Sequence, residues 1–175
     1  MRGLLVGRFQ PFHLGHRAVV EEILRSKPEE TLLLGVGSAQ DSHTVDNPFT
    51  AGERHEMIVR ALADLPNRQW EVIPLEDIHR HALWVAHLES LLPPFETVYT
   101  NNPLTRLLFE NSGYSVIAPR LDDRDRFEGR KVREAMATGA DWESLVPPPV
   151  ATFLRGIEGP SRIRLLAAAG SPGGQ

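Results

Sequence analysis

The sequence predicts an α/β fold, a doubly wound parallel sheet closed by C-terminal helices. Three observations predict it. Two continuous apolar runs bounded by glycine, RGLLVG at 2–7 and TLLLGVGS at 31–38, fit parallel strands buried on both faces. Between them His16, Val19, Val20, Ile23 and Leu24 recur at helical spacing, which makes one strand–helix–strand unit. The same alternation then continues to residue 118, as it does in doubly wound sheets.

The elements follow in order. Thr50 and Glu53 fit a capping box that opens a helix through Met57, Ile58, Ala61, Leu62 and Leu65, stopped before Pro66. QWEVIPL at 69–75 reads as a third strand, and ALWVAHLESLL at 82–92 as a helix ended by Pro93 and Pro94. FETVYT at 95–100 is the fourth strand. Asn102 and Pro103 are apt N-cap and first-turn residues for the next helix. YSVIA at 114–118 is the fifth strand. After Pro119 a charged loop, RLDDRDRFEG, leads to a helix at 130–138. Further helices are expected near 141–145, 147–156 and 159–168. Ligands of such folds collect at the carboxyl ends of the strands, and the residues singled out below fall there.

A chain of 175 residues with 41% apolar and 24% charged residues suits one domain, taken as 1–168, followed by a flexible tail at 169–175. The formal charge of −4 gives no global basic field for nucleic acid or membrane. The absence of cysteine excludes disulfides, thiolate nucleophiles and cysteine-ligated metal, and permits a cytoplasmic setting. The N-terminal apolar run is too short for a signal-peptide core or a membrane span.

The densest chemistry lies between Gly7 and His16. Gly7 ends strand one, Arg8, Phe9, Gln10, Pro11 and Phe12 form a loop, and His13, Leu14, Gly15 and His16 open a helix. A helix N-terminus offers free N–H groups and positive potential to an anion. Gly15 would let a phosphate approach the backbone closely. His13 and His16, three apart, can share one side of the first turn, and Arg8 adds a fixed charge. A bland alternative has the histidines only capping and packing. Neither the Walker spacing nor the dinucleotide fingerprint occurs in this loop.

The string His13-Leu14-Gly15-His16 resembles the H-x-G-H signature of the nucleotidyltransferase superfamily. The longer GRFQPFHLGH is similar to the archaeal-type nicotinamide mononucleotide (NMN) adenylyltransferases. So are the blocks GSAQDSHTVDNPFTAGER from Gly37, LEDIHRHALWV from Leu75 and LLPPFETVYTNNPL from Leu91, so that the resemblance reaches about residue 166.

The resemblance implies a Rossmann-like nucleotidyltransferase fold and the reaction of ATP with NMN to give NAD and pyrophosphate. His13, His16 and Arg133 would be catalytic. Gly7, Arg8, Phe9, Gln10, Gly15, Asn102, Gly129, Arg130 and Val132 would serve ATP. Ser38, Gln40, Arg54, Asp77, the Ile78 backbone, His81 and Trp84 would serve the mononucleotide, with Trp84 under the nicotinamide ring. Mg²⁺ would be bound through phosphates and water, with few or no protein ligands. A homo-oligomer is implied, with a hexamer as the candidate.

Plain structural readings stand beside these. Trp84 shares helical spacing with the core, Asp77 and Asn102 could be helix caps, and Arg54 could pair with a surface acid. A structural metal at His79, His81 and His87 matches no known ligand spacing. The chain also departs from the family. Glu128-Gly129-Arg130 stands where relatives place Ser-Gly-Thr, so Arg130 would replace a lost hydroxyl contact and Glu128 would repel phosphate if turned inward. His81 stands for Asn and Asn101 for Gly, as drift or as a shift toward the deamidated mononucleotide. The rival functions are another H-x-G-H nucleotidyltransferase, acting on a phosphopantetheine, flavin or alcohol phosphate, and a non-catalytic nucleotide sensor.

Overall fold

The computed structural model describes residues 1–66, 69–120 and 127–169. Five parallel strands, β1 (Arg2–Gly7), β2 (Thr31–Val36), β3 (Trp70–Pro74), β4 (Thr97–Tyr99) and β5 (Ser115–Ile117), form one sheet in the order β3-β2-β1-β4-β5. The chain therefore winds outward from β1 to β3, then returns to the other side of β1. That reversal opens a crevice between the carboxyl ends of β1 and β4. The helices are α1 (Leu14–Ser26), α2 (Ala51–Ala61), α3 (His81–Leu91), α4 (Pro103–Asn111), α5 (Gly129–Thr138), α6 (Pro148–Gly156) and α7 (Gly159–Ala169).

The sheet is covered on both faces, which explains its continuous apolar strands. Along β2, Leu32, Leu34 and Val36 enter the larger core with α1, α2, α5, α6 and α7. Leu33 faces the opposite way, into a smaller core with Leu4, Val98, Val85, Leu88 and Phe109 under α3 and α4. The strand period of two thus assigns each residue to a layer.

Both expected caps are present. Thr50 Oγ1 accepts from the Glu53 N–H at 3.2 Å, while Glu53 accepts from the Thr50 N–H at 2.9 Å. Asn102 Oδ1 accepts from the Thr105 N–H at 3.0 Å, with Pro103 in the first turn.

Several boundaries differ from the sequence expectation. β2 stops at Val36, because Gly37 and Ser38 turn away and Ser38 takes a φ of 48°. Helix α2 closes at Ala61, and the apolar residues to Leu65 continue as turns. The segment expected to be helical at 141–145 is a 3₁₀ turn at Glu143–Leu145. Most of the charged loop after Arg120, and the tail from 170 onward, lie outside the described residues.

Candidate active site

β1 ends at Gly7, and the next turn folds the Phe9 ring back over it. A Cβ at Gly7 would lie 2.8 Å from that ring. Phe9 takes a φ of 51° and its side chain is buried. The Phe9 ring is a core group that shapes the loop, so only its backbone is left to serve ATP, and the ring meets His16 edge-on at 4.9 Å.

His13 is the N-cap of α1, and the two histidines cap the helix reciprocally. The His16 N–H donates to His13 Nδ1 at 3.3 Å, and the His13 N–H donates to His16 Nδ1 at 3.2 Å. The rings stack with centroids 3.6 Å apart. With both Nδ1 atoms accepting, each neutral ring carries its proton on Nε2. Burial pulls the His13 pKa down to about 4. Burial, then repulsion from His13, holds His16 well below its usual value. The rings are therefore neutral donors at physiological pH. Capping and ligand binding are compatible here, since one nitrogen of each ring serves the helix and the other is free for a ligand.

Arg54 corrects the sequence expectation. It is fully buried. Nε donates to Thr50 O, Nη1 to Arg8 O and Gly37 O, and Nη2 to Ser38 O and Asp41 O. All five N–H donors of the guanidinium are thus spent on carbonyls. No donor remains for a phosphate, and no surface acid is hydrogen-bonded to it. Arg54 instead ties the loop after β1 to the loop after β2. Burial lowers its pKa to about 10, so it stays charged at neutral pH.

Two glutamines make matching clamps. Gln10 donates to Phe49 O at 2.9 Å and accepts from the Phe49 N–H at 3.0 Å. Gln40 donates to Asp77 O and accepts from the Asp77 N–H, both at 3.0 Å. Their side-chain amides, expected at the ligands, hold neighbouring loops in register. Asp77 Oδ1 in turn accepts from the His79 N–H at 2.9 Å, a local turn rather than a helix cap. Ile78 follows half-buried in the same loop.

Two cavities meet over the β1–β4 crevice. One, of about 350 Å³, is lined by Gly7, Arg8, Ser38, Asp77, Trp84 and Asn102 among others. The second, of about 240 Å³, is lined by His13, Gly15, His16, Asn101, Asn102 and Glu128 among others. Val6, Thr100 and Asn102 border both, so the two halves share a floor. Trp84 packs edge-to-face on Phe109 at 5.6 Å, as a core residue would, and it also forms part of the wall of the larger cavity. His81 is exposed and lines a recess of about 170 Å³ with Asp77, Trp84 and Asn102. Among the described residues no group of three or more His, Asp or Glu could hold a metal ion. His87 instead sits 3.0 Å from Glu76 O.

The late motif is partly redrawn. Arg133 donates to Gln10 O at 2.8 Å, which joins α5 to the first loop. Gly129 packs closely there, since a Cβ would come within 3.2 Å of Gln10 O. Val132 cannot serve a ligand as expected, because its side chain is fully buried and its N–H bonds to Glu128 O. Arg130 points outward and pairs with Glu134 at 2.8 Å. Glu128 does line the imidazole cavity. At Gly15 the close neighbour is protein, since a Cβ would stand 2.7 Å from Phe127 Cβ. Asn101 has a clear use, donating to Pro119 O at 2.9 Å.

Sequence reasoning missed Thr100, a lining residue of both cavities whose Oγ1 accepts from the Asn102 N–H at 3.0 Å. Its place directly after β4 was the available signal. It also missed Asp46, whose carboxylate lies 3.5 Å from Arg133; no motif marks it.

Comparison with known proteins agrees with this fold. The cytidylyltransferase-like family model matches residues 4–135. The chain is 47% identical to the nicotinamide-nucleotide adenylyltransferase of Archaeoglobus fulgidus, covering 94% of this chain and 96% of that one. It is 49% identical to that of Thermoplasma volcanium, covering 95% and 92%. The fold matches a bifunctional NMN adenylyltransferase/ADP ribose pyrophosphatase from Francisella tularensis, solved with AMP and a manganese ion, with a TM-score of 0.77 at 19% identity. The match covers 95% of this chain and only 52% of that longer one. The chain thus belongs to the cytidylyltransferase-like family and, within it, to the nicotinamide-nucleotide adenylyltransferases.

Proposed function

We propose that the protein transfers the adenylyl group of ATP to NMN, giving NAD and pyrophosphate. The observation that carries this is the pair of cavities sharing Val6, Thr100 and Asn102, one walled by imidazoles and the other by Trp84 and Asp77. ATP takes the imidazole side and the mononucleotide takes the Trp84 side. Their reacting phosphates then meet over the shared floor.

An NMN phosphate oxygen attacks the α-phosphorus in line, the bond from that phosphorus to the bridging oxygen breaks, and pyrophosphate leaves. The nucleophile is ionised at neutral pH, so no general base is needed. Catalysis rests on positioning and on preorganised donors. The Nε2–H groups of His13 and His16 donate to the phosphate as charge shifts toward the leaving group. Arg8 and Arg133 take up the negative charge of the departing pyrophosphate. Asp77 and the Ile78 backbone receive the carboxamide, held in place by Gln40. Mg²⁺ supplies charge neutralisation when bound, carried by the phosphates rather than by a protein ligand cluster. Family membership also supports residues 1–168 as one catalytic domain, a homo-oligomeric state and a cytoplasmic location.

The deciding assay incubates the protein with ATP, Mg²⁺ and NMN and measures NAD and pyrophosphate. Both should appear in equal amounts. Binding of ATP without pyrophosphate release would make the protein a sensor instead. The deamidated mononucleotide, run in parallel, tests the role of His81.

A further inference from the structure

Arg133 is nearly enclosed, with a side chain only 11% exposed. One of its terminal nitrogens is committed to Gln10 O. The other faces Asp46 at 3.5 Å. Asp46 differs from the other acids that hold arginines here. Its side chain is 78% exposed, and it sits at the tip of a turn. The turn is closed by Thr44 and Asn47, whose backbones bond at 3.2 Å while Thr44 Oγ1 accepts from the Asn47 N–H at 3.0 Å. Neither bond involves Asp46, so its side chain can leave Arg133 without breaking the turn.

Charge around Arg133 is otherwise unfavourable. Burial and the nearby Arg8 both destabilise its charged form, and Asp46 and Glu134 oppose them. Glu134 is already hydrogen-bonded to Arg130. Asp46 is therefore the acid that faces the Nη2 edge of Arg133, an edge that can equally hold a phosphate.

We propose that Asp46 is a resident competitor for the triphosphate, occupying Arg133 until ATP displaces it and so setting the enzyme's affinity for ATP. This rests on the reading of Arg133 as a phosphate ligand. Because Asp46 stands mostly in solvent, the pair is screened and contributes about 1 kcal/mol, which corresponds to roughly fivefold in affinity. The competition also restricts the site to ligands with enough charge to win it. Triphosphates should displace Asp46 more readily than a monoanion.

The test compares wild type, Asp46→Asn, Arg133→Gln and the double variant in steady-state kinetics and in ATP titrations by calorimetry. Asp46→Asn should lower the KM and Kd for ATP by roughly two- to fivefold, with the KM for NMN unchanged. The effect should vanish in the Arg133→Gln background, because the competitor then has nothing to occupy. An unchanged or raised ATP Kd in Asp46→Asn, alongside a clear loss in Arg133→Gln, overturns the proposal and makes Asp46 neutral or a positioning residue. A persistent gain in the Arg133→Gln background also overturns it, since a general field effect would then be at work. Unaltered ATP binding and turnover in Arg133→Gln would instead remove the phosphate role of Arg133, a separate failure.

Discussion

Replacing Arg54 with lysine separates a brace from a ligand. The guanidinium supplies five N–H donors to five carbonyls, those of Thr50, Arg8, Gly37, Ser38 and Asp41. A lysine ammonium supplies three from a single atom, so at least two carbonyls lose a charged partner in a fully buried position. Each charge-assisted bond is worth about 1.5–3 kcal/mol, and the longest contact, to Asp41 O, counts for least, so a loss of roughly 2–4 kcal/mol is expected. In a chain of this size that lowers Tm by roughly 5–15 °C. Calorimetric or circular-dichroism melts of Arg54→Lys measure it directly, and both ATP and NMN should bind less well because both loops loosen. A variant with wild-type Tm that loses only NMN binding would refute the brace and restore the phosphate contact.

Further outcomes follow from the same geometry. His16→Ala should lower kcat by roughly 10²–10³-fold, the cost of removing one preorganised donor; a near-normal rate would remove its assigned role. Trp84→Ala should raise the KM for NMN more than that for ATP, and equal effects would return Trp84 to the core alone. Stability should fall on acidification. The His13 pKa is about 4 when folded against an ordinary 6.5, so between those values the unfolded chain binds a proton that the folded one refuses. The contribution is complete above pH 6.5 and lost by about pH 4. It amounts to roughly 3 kcal/mol, with His16 acting in the same direction. Urea melts from pH 7 to 4.5 should show this slope, and His13→Asn with His16→Asn should flatten it. An equal slope in that double variant would contradict the assigned burial.

The strands and caps were legible because each obeys a local rule. Continuous apolar runs mark strands covered on both faces, and Thr50, Asn102 and Pro103 sit where helix starts require them. The imidazole pair was visible as a pair, but its reciprocal capping depends on ring orientation, which spacing does not encode. The clamps of Gln10 and Gln40 join segments far apart in the chain, to Phe49 and Asp77, so no local pattern announces them. Arg54 did carry a clue. A cation in the first turn of a helix opposes the macrodipole and needs compensation from outside the helix. Five carbonyls supply it. The outward turn of Arg130 was not readable, because its partner Glu134 lies on its own helix and fixes only which face it takes.

The reciprocal cap at His13 and His16 has a consequence for how the protein meets an anion. Two backbone amides give their hydrogens to the inner edges of two uncharged rings. Each ring passes that polarisation on, since accepting at Nδ1 strengthens Nε2–H as a donor. The electropositive end of α1 is thereby carried outward by the width of an imidazole without any added proton. A pair of serines could end the helix equally well, but a hydroxyl on a rotatable bond has no second, outward-facing donor held on a rigid ring. The pull of this cap on an anion is therefore built from dipoles, and it holds its strength across the whole pH range in which the rings stay neutral.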